Sequence, residues 1–179
     1  MDLVHAKKGL AAGSVVPPDL MEACIQHLNL KGLQIAYGMT ELSPACHITP
    51  SDLDLDKRTT TVGMIMPHTE AKIVETNYDE NEGDLVVEEN PKVCLVGESG
   101  ELWVRGYAVM MGYWNDEVKT EKAINKEGWM QTGDLATMDE QGCFKITGRL
   151  KDTIIRGGEN IYPTEIEEIL RTHPDIHDA

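Results

Sequence analysis

Between about residues 60 and 148 Gly, Asn and Asp cut the chain into short apolar segments, and this punctuation limits the possible folds more than any other feature. "AKIVET", "GDLVVEE", "GELWVRG" and "GCFKITG" are rich in β-branched and aromatic residues and too short for stable helices, so they predict strands. "NDEVKTEKAIN" predicts one interrupting helix with Asn115 as its cap. The remainder of the stretch, including "GWMQTGDLA" at 128–136, reads as turns. Such a pattern suits a compact β-barrel or sandwich sheet.

The flanks differ. "PPDLMEACIQHLNL" at 17–30 sets Leu20, Met21, Cys24 and Leu28 at helical spacing behind a proline pair suited to a helix start. "LQIAYG" at 33–38 then reads as a short buried strand, followed by a polar loop, "MTELSPACHITPSD". A helix feeding a strand predicts an α/β layer. After residue 148, "KDTIIRGG" predicts a strand, and "TEIEEILRTH" a helix with Ile166, Ile169 and Leu170 on one face. Thr164 and Glu167 are spaced as a capping box. The predicted class is therefore α/β plus β-barrel, divided at 1–50, 51–148 and 149–179.

The formal charge of −15 argues against general nucleic-acid or anionic-membrane binding, because the summed field repels both. An anionic substrate would need local positive groups or a metal ion. Nine carboxylates stand between residues 75 and 101 against the single Lys92, which predicts a solvated acidic loop. Cys24, Cys46, Cys94 and Cys143 form no CxxC and read as buried free thiols; the Cys46–His47 pair alone does not make a metal site. The other histidines have no partner at useful spacing, and Met110, Met111, Tyr113 and Trp114 read as core packing. No apolar run approaches the roughly 20 residues that span a bilayer, and the start resembles neither a secretory signal nor a transit peptide.

Three clusters could carry chemistry. In "YGMTE" at 37–41, Tyr37 could stack on a flat heterocycle, Gly38 allows close approach, Thr40 could donate to a phosphate, and Glu41 could hold Mg²⁺. The cluster follows a strand of an α/β layer, where small-molecule sites form, although a plain polar turn fits the spacing equally. In "GWMQTGDLA", Asp134 on a tight turn could accept the two hydroxyls of a ribose, but aspartate in turns is more often structural. In "GRLKDTIIRGG", Arg149, Lys151 and Arg156 supply scarce positive charge and Gly157 and Gly158 permit close backbone approach; a hairpin with exposed basic residues is the simpler alternative.

In this order the stretches "YGMTELSP", "VGMIMP", "GELWVRGYAVMMGYW" and "GWMQTGDLATMDEQGCFKITGRLKDTIIRGGENIYPTEIE" resemble the adenylate-forming, AMP-binding superfamily of acyl-CoA synthetases, firefly-type luciferases and peptide-synthetase adenylation domains. The resemblance runs from about residue 10 onward. Its wording is most similar to medium-chain fatty acyl-CoA synthetases of the animal mitochondrial type called acyl-CoA synthetase family member two.

The resemblance implies the C-terminal part of a large domain, then the first strand and helix of a smaller mobile one. It implies two-step chemistry: ATP and a carboxylic acid give an acyl-adenylate, and CoA then displaces AMP. By motif, Tyr37 and Gly38 would lie at the adenine, Thr40 at the phosphates and Glu41 on Mg²⁺, with Thr40 and Glu41 the catalytic pair. Gly13 and Ser14 of "AAGSVV" would line the nucleotide, Asp134 would hold the ribose, and Arg149 the ribose and phosphate region. Lys151 would be the hinge, and Gly157 and Gly158 would line the CoA tunnel. The resemblance also implies a location, mitochondrial, with cytoplasmic as the alternative.

Neither the family's upstream phosphate-gripping loop nor its C-terminal lysine is legible here. Two such electrostatic groups commonly matter by on the order of 10⁴-fold together, so the expectation is a fragment with negligible ligase activity alone. The alternative is a non-catalytic nucleotide-binding or interaction module on the same fold.

Overall fold

The computed structural model describes residues 5–14, 16–79, 84–156 and 159–176, with nothing stated of the Glu168 side chain. It opens with β1 (Lys8–Ala12), α1 (Pro18–His27) and β2 (Gly32–Tyr37). Strands β1 and β2 are parallel, Ala12 standing beside Ala36, and α1 crosses between them. Met21 of α1 packs on Leu33 and Ile35 of β2, while Leu20 and Leu28 face solvent; the buried side of the helix is narrower than the spacing predicted. A 3₁₀ turn at Thr40–Leu42, β3 (His47–Ile48), α2 (Leu55–Thr60) and β4 (Met64–Ile65) follow; β3 pairs antiparallel with β2, and β4 antiparallel with β3.

The β-rich stretch comprises β5 (Thr69–Val74), β6 (Asn77–Asp79), β7 (Asp84–Val86), β8 (Gly100–Gly106), α3 (Glu117–Ala123), β9 (Met130–Met138) and β10 (Phe144–Arg149). Among the described residues it forms no closed barrel. It is an open antiparallel sheet in the order β10-β9-β8-β5, with β6 and β7 as a separate hairpin. Its two outer edges are met by short bridges rather than by strands: the outer side of β5 pairs at Val74 with Val93, and at β10 the Phe144 N–H donates to the Gly63 carbonyl while the Phe144 carbonyl accepts from the Val62 N–H, each at 2.8 Å. A second 3₁₀ turn at Leu150–Asp152 leads to the hairpin β11 (Ile154–Arg156) and β12 (Glu159–Ile161), then to α4 (Pro163–Arg171).

Side chains alternate across the sheet with period two. Ile73, Leu102, Val104, Met130, Ala136 and Phe144 face one core, whereas Val74, Trp103 and Trp129 pack on the opposite face. The first face is capped by the loop that leaves β2: Leu42 and Cys46 are fully buried there, with Tyr37 and Met39 against them. Burying one such leucine contributes roughly 1.5–3 kcal/mol. The α/β layer and the antiparallel sheet are therefore joined through the segment that carries "YGMTE".

Several local expectations fail for identifiable reasons. Asn115 does not cap α3: it has φ +54°, and Asp116 takes the cap, accepting from the Lys119 backbone N–H at 2.9 Å. Thr164 and Glu167 form no capping box, because α4 starts at Pro163 with Tyr162 as its cap and no side-chain cap bond. Met111 and Trp114 are fully exposed rather than core, and Ile166, Ile169 and Leu170 also face solvent. All four cysteines are free, but only Cys46 and Cys143 are buried.

Candidate active site

The parallel pair β1–β2 presents its C-terminal ends at one edge, the usual place for a ligand in an α/β layer. Gly13 and Ser14 leave β1 there, exposed, with Gly13 at φ +93°. Tyr37 ends β2 at the same edge, and Gly38 follows; a Cβ at Gly38 would run into the Pro44 carbonyl, so the loop folds back only over a glycine. That fold is fixed by the Cys46 N–H donating to the Tyr37 carbonyl at 2.9 Å.

Tyr37 donates its hydroxyl to Asp134 Oδ2 at 2.6 Å, across 97 positions of sequence. Asp134 is only 6% exposed. It does not sit on a turn, as the sequence suggested, but inside β9, directly opposite Arg149 of β10, whose Nε lies 3.3 Å from Oδ1. The aromatic residue, the acid and the arginine thus converge on one place. Burial pushes the Asp134 carboxyl above its ordinary value, and the Tyr37 hydrogen bond and the Arg149 charge pull the other way. The Tyr37 hydroxyl is driven far up, chiefly by burial and then by the neighbouring Asp134 charge, so it is a permanent donor. The arginine itself is largely exposed, and the ion pair through Nε leaves the rest of its guanidinium facing outward, a group suited to an anion.

Thr40 and Glu41 lie in the 3₁₀ turn beyond Gly38, Thr40 exposed and Glu41 half-buried. Glu41 Oε1 accepts from the Tyr113 hydroxyl at 2.8 Å, and its backbone carbonyl accepts from the Met110 N–H at 2.9 Å. No group of three metal-ligating side chains occurs among the described residues. The donor set fits Mg²⁺ on one condition. One carboxylate with an oxygen to spare suits an ion that takes most of its ligands from water and substrate phosphates. Lys151 lies exposed in the 3₁₀ turn that follows β10, and Asp152 beside it adds negative charge near Asp134. Gly157 and Gly158 lie outside the described residues.

Three groups at this site escaped the sequence reading. Tyr113 holds Glu41, while Lys119 sits 4.0 Å over its ring. His47 is fully buried between Tyr37 and Phe144, at ring-centroid distances of 5.8 and 4.5 Å. Glu101, the last carboxylate of the supposed solvated stretch, is 2% exposed and accepts from the Gly133 backbone N–H at 2.8 Å. Only its position in the apolar "GELWVRG" could have marked it as buried.

A profile of the AMP-binding enzyme family matches residues 1–114. Along 99% of its length the chain is 46% identical to the medium-chain acyl-CoA ligase ACSF2, mitochondrial, of Bos taurus, and it covers 27% of that protein. It is 47% identical to the Bacillus subtilis protein YngI, which carries an acyl-CoA synthetase name, covering 99% of this chain and 30% of YngI. Among solved structures it superposes on o-succinylbenzoate CoA synthetase (MenE) of Bacillus subtilis in complex with the acyl-adenylate intermediate OSB-AMP. There the TM-score is 0.77 at 32% identity, over 95% of this chain and 31% of that one. The amide bond synthetase McbA of Marinactinospora thermotolerans gives a TM-score of 0.80 at 30% identity, over 99% and 33%. The chain therefore spans about a third or less of the relatives it matches.

Proposed function

The chain belongs to the AMP-binding enzyme family, and on that premise we propose that it is part of an AMP-forming acyl-CoA ligase acting through an acyl-adenylate, with a fatty acid of medium length as substrate. One observation carries the reading: a buried carboxylate, Asp134, is held between the Tyr37 hydroxyl and Arg149 at the C-terminal edge of the parallel strands. A carboxylate so placed has lone pairs left for the two hydroxyls of a ribose. Tyr37, half-buried, offers a ring to the adenine, Arg149 a guanidinium to the ribose and α-phosphate, and Thr40 a hydroxyl to the phosphates. Gly13 and Ser14 would border the nucleotide from β1. Glu41 would hold Mg²⁺, which neutralises phosphate charge when bound; the protein's own part is to present that carboxylate, oriented by Tyr113.

The boundaries at 50 and 148 and the hinge at Lys151 belong to the same proposal. The 3₁₀ turn at Leu150–Asp152 joins the last strand of the large sheet to a separate hairpin, a suitable place for a pivot. Gly157 and Gly158 would then approach CoA. A mitochondrial location follows the names of the animal relatives; YngI, equally similar, is bacterial and favours the cytoplasm. The non-catalytic alternative is not favoured, since both of these relatives are named as ligases or synthetases along 99% of this chain.

Thermal unfolding with 5′-O-(octanoylsulfamoyl)adenosine tests the site. At 100 times its dissociation constant the ligand should add about 2.7 kcal/mol to wild-type stability. Asp134→Ala should abolish most of that gain. An unshifted wild type, or a variant that responds as well as wild type, overturns the assignment.

A further inference from the structure

We propose that Glu101 is a positioning residue for Asp134, its carboxylate fixing the bulge of β9 from which the Asp134 side chain reaches Tyr37 and Arg149. This rests on reading Asp134 as the acid that receives the ribose hydroxyls.

The register between β8 and β9 shows where the bulge lies. Trp103 stands opposite Gln131 and Glu101 opposite Leu135, so two steps along β8 are matched by four along β9. Thr132, Gly133 and Asp134 therefore stand against Leu102 alone, a surplus of two residues, and Gly133 accommodates it at φ +73°, where a side chain would be strained. Bulges of this kind re-aim a side chain, and here the side chain is that of Asp134.

Three hydrogen bonds hold the surplus in shape. The Thr132 hydroxyl donates to the Leu102 carbonyl at 2.7 Å, and the Asp134 N–H donates to that same hydroxyl at 3.1 Å. The Gly133 N–H turns to the Glu101 side chain, donating to Oε1 at 2.8 Å. The other oxygen of Glu101 is itself anchored, accepting the Trp103 indole N–H at 2.6 Å, and Trp103 is packed against Val74 and Trp129. The carboxylate therefore bridges a rigid aromatic cluster and the turn of backbone just before Asp134.

Packing alone does not account for an acid at this place. Among the described residues no salt bridge reaches Glu101, and burying a carboxylate on neutral donors alone is costly. Both donors demand an acceptor, and an acceptor with two equivalent oxygens serves both; a glutamine would set its NH₂ against one of them. Burial raises the Glu101 carboxyl above its ordinary value, the Trp103 and Gly133 donors oppose that, and the charge of Asp134 adds to it.

Calorimetric titration with AMP and with 2′,3′-dideoxy-AMP separates this role from general scaffolding. Wild type should prefer AMP, because only AMP offers the diol. Glu101→Ala should cut that preference about tenfold, or about 1.4 kcal/mol, while its affinity for the dideoxy nucleotide stays put. Glu101→Gln, nearly isosteric and expected to fold even if the alanine variant does not, should lose part of the preference. The double variant with Asp134→Ala should discriminate no worse than Asp134→Ala alone, since both changes remove one interaction. Wild type that binds the two nucleotides equally sinks the reading of Asp134 itself. Wild-type discrimination kept intact in a folded Glu101 variant, or an equal loss for both nucleotides, sinks the positioning role while leaving Asp134 in place.

Discussion

Acid should destabilise this fold through one residue, His47. Its ring is fully buried in β3, edge-on to Tyr37 and tilted against Phe144. Nδ1 lies 3.2 Å from Cys46 Sγ, and Nε2 has no hydrogen-bond partner among the described residues. With no carboxylate bonded to it, the imidazolium would be buried uncompensated, and burial lowers its pKa from 6.5 to about 3. At any pH between those values the unfolded chain binds a proton that the folded one refuses. The stability contributed by neutral His47 is therefore complete above pH 6.5 and is lost as pH falls toward 3.

The slope in that window is about 1.4 kcal/mol per pH unit, which brings the loss to about 2 kcal/mol at pH 5. Domains of this kind have roughly 5–15 kcal/mol in total, so the effect is large enough to measure. Urea unfolding midpoints of wild type and His47→Gln, taken from pH 8 to pH 5, isolate it, because every other titrating group is common to both proteins. The variant should start less stable and lose about 2 kcal/mol less across the range. Parallel curves would refute the argument, and so would a His47 Hε1 resonance that titrates near pH 6.5.

Two further substitutions probe the loop that carries the candidate site. Gly38→Ala must displace the Pro44 carbonyl, so it should cost about 1–3 kcal/mol and lower the melting temperature by several degrees; an unchanged melt would show that the loop yields freely. Tyr113→Phe keeps the ring under Lys119 but removes the donor to Glu41, so titrations of ATP should show about threefold weaker Mg²⁺-dependent binding and unchanged Mg²⁺-free binding of AMP. Equal loss in both titrations would show that Tyr113 supports the loop rather than the carboxylate.

What the sequence disclosed follows from how regular each element is. β8 was legible to the residue as "GELWVRG", because a strand buried on both faces between glycines has no competing pattern. The β2 strand was legible likewise, and α1 from its helical spacing behind a proline pair, whereas β1, a short "KGLAA" of weak strand formers, was not. Local capping was misread at both Asn115 and Thr164, where a neighbouring residue one or two positions away took the role that tertiary packing assigned. The exposure of Met111 and Trp114 was illegible in principle, since composition says what could be buried and not what covers it.

The misreading of β9 is the most informative. "MQTGDLATM" looks like a turn because Thr132-Gly133-Asp134 is turn vocabulary, and it is nevertheless an interior strand of the sheet. Both readings describe real physics: the glycine does take a left-handed conformation, but inside a ladder, where it makes a bulge instead of a reversal. A sequence pattern of period two cannot register two inserted residues, and the group that compensates them, Glu101, lies 32 positions away on the neighbouring strand. The candidate clusters were thus singled out by residue type and given roles by the motif resemblance, but the support that aims Asp134 became visible only with the strand register. Irregular stretches flanked by clean strands are accordingly where a buried carboxylate on the neighbouring strand should be sought.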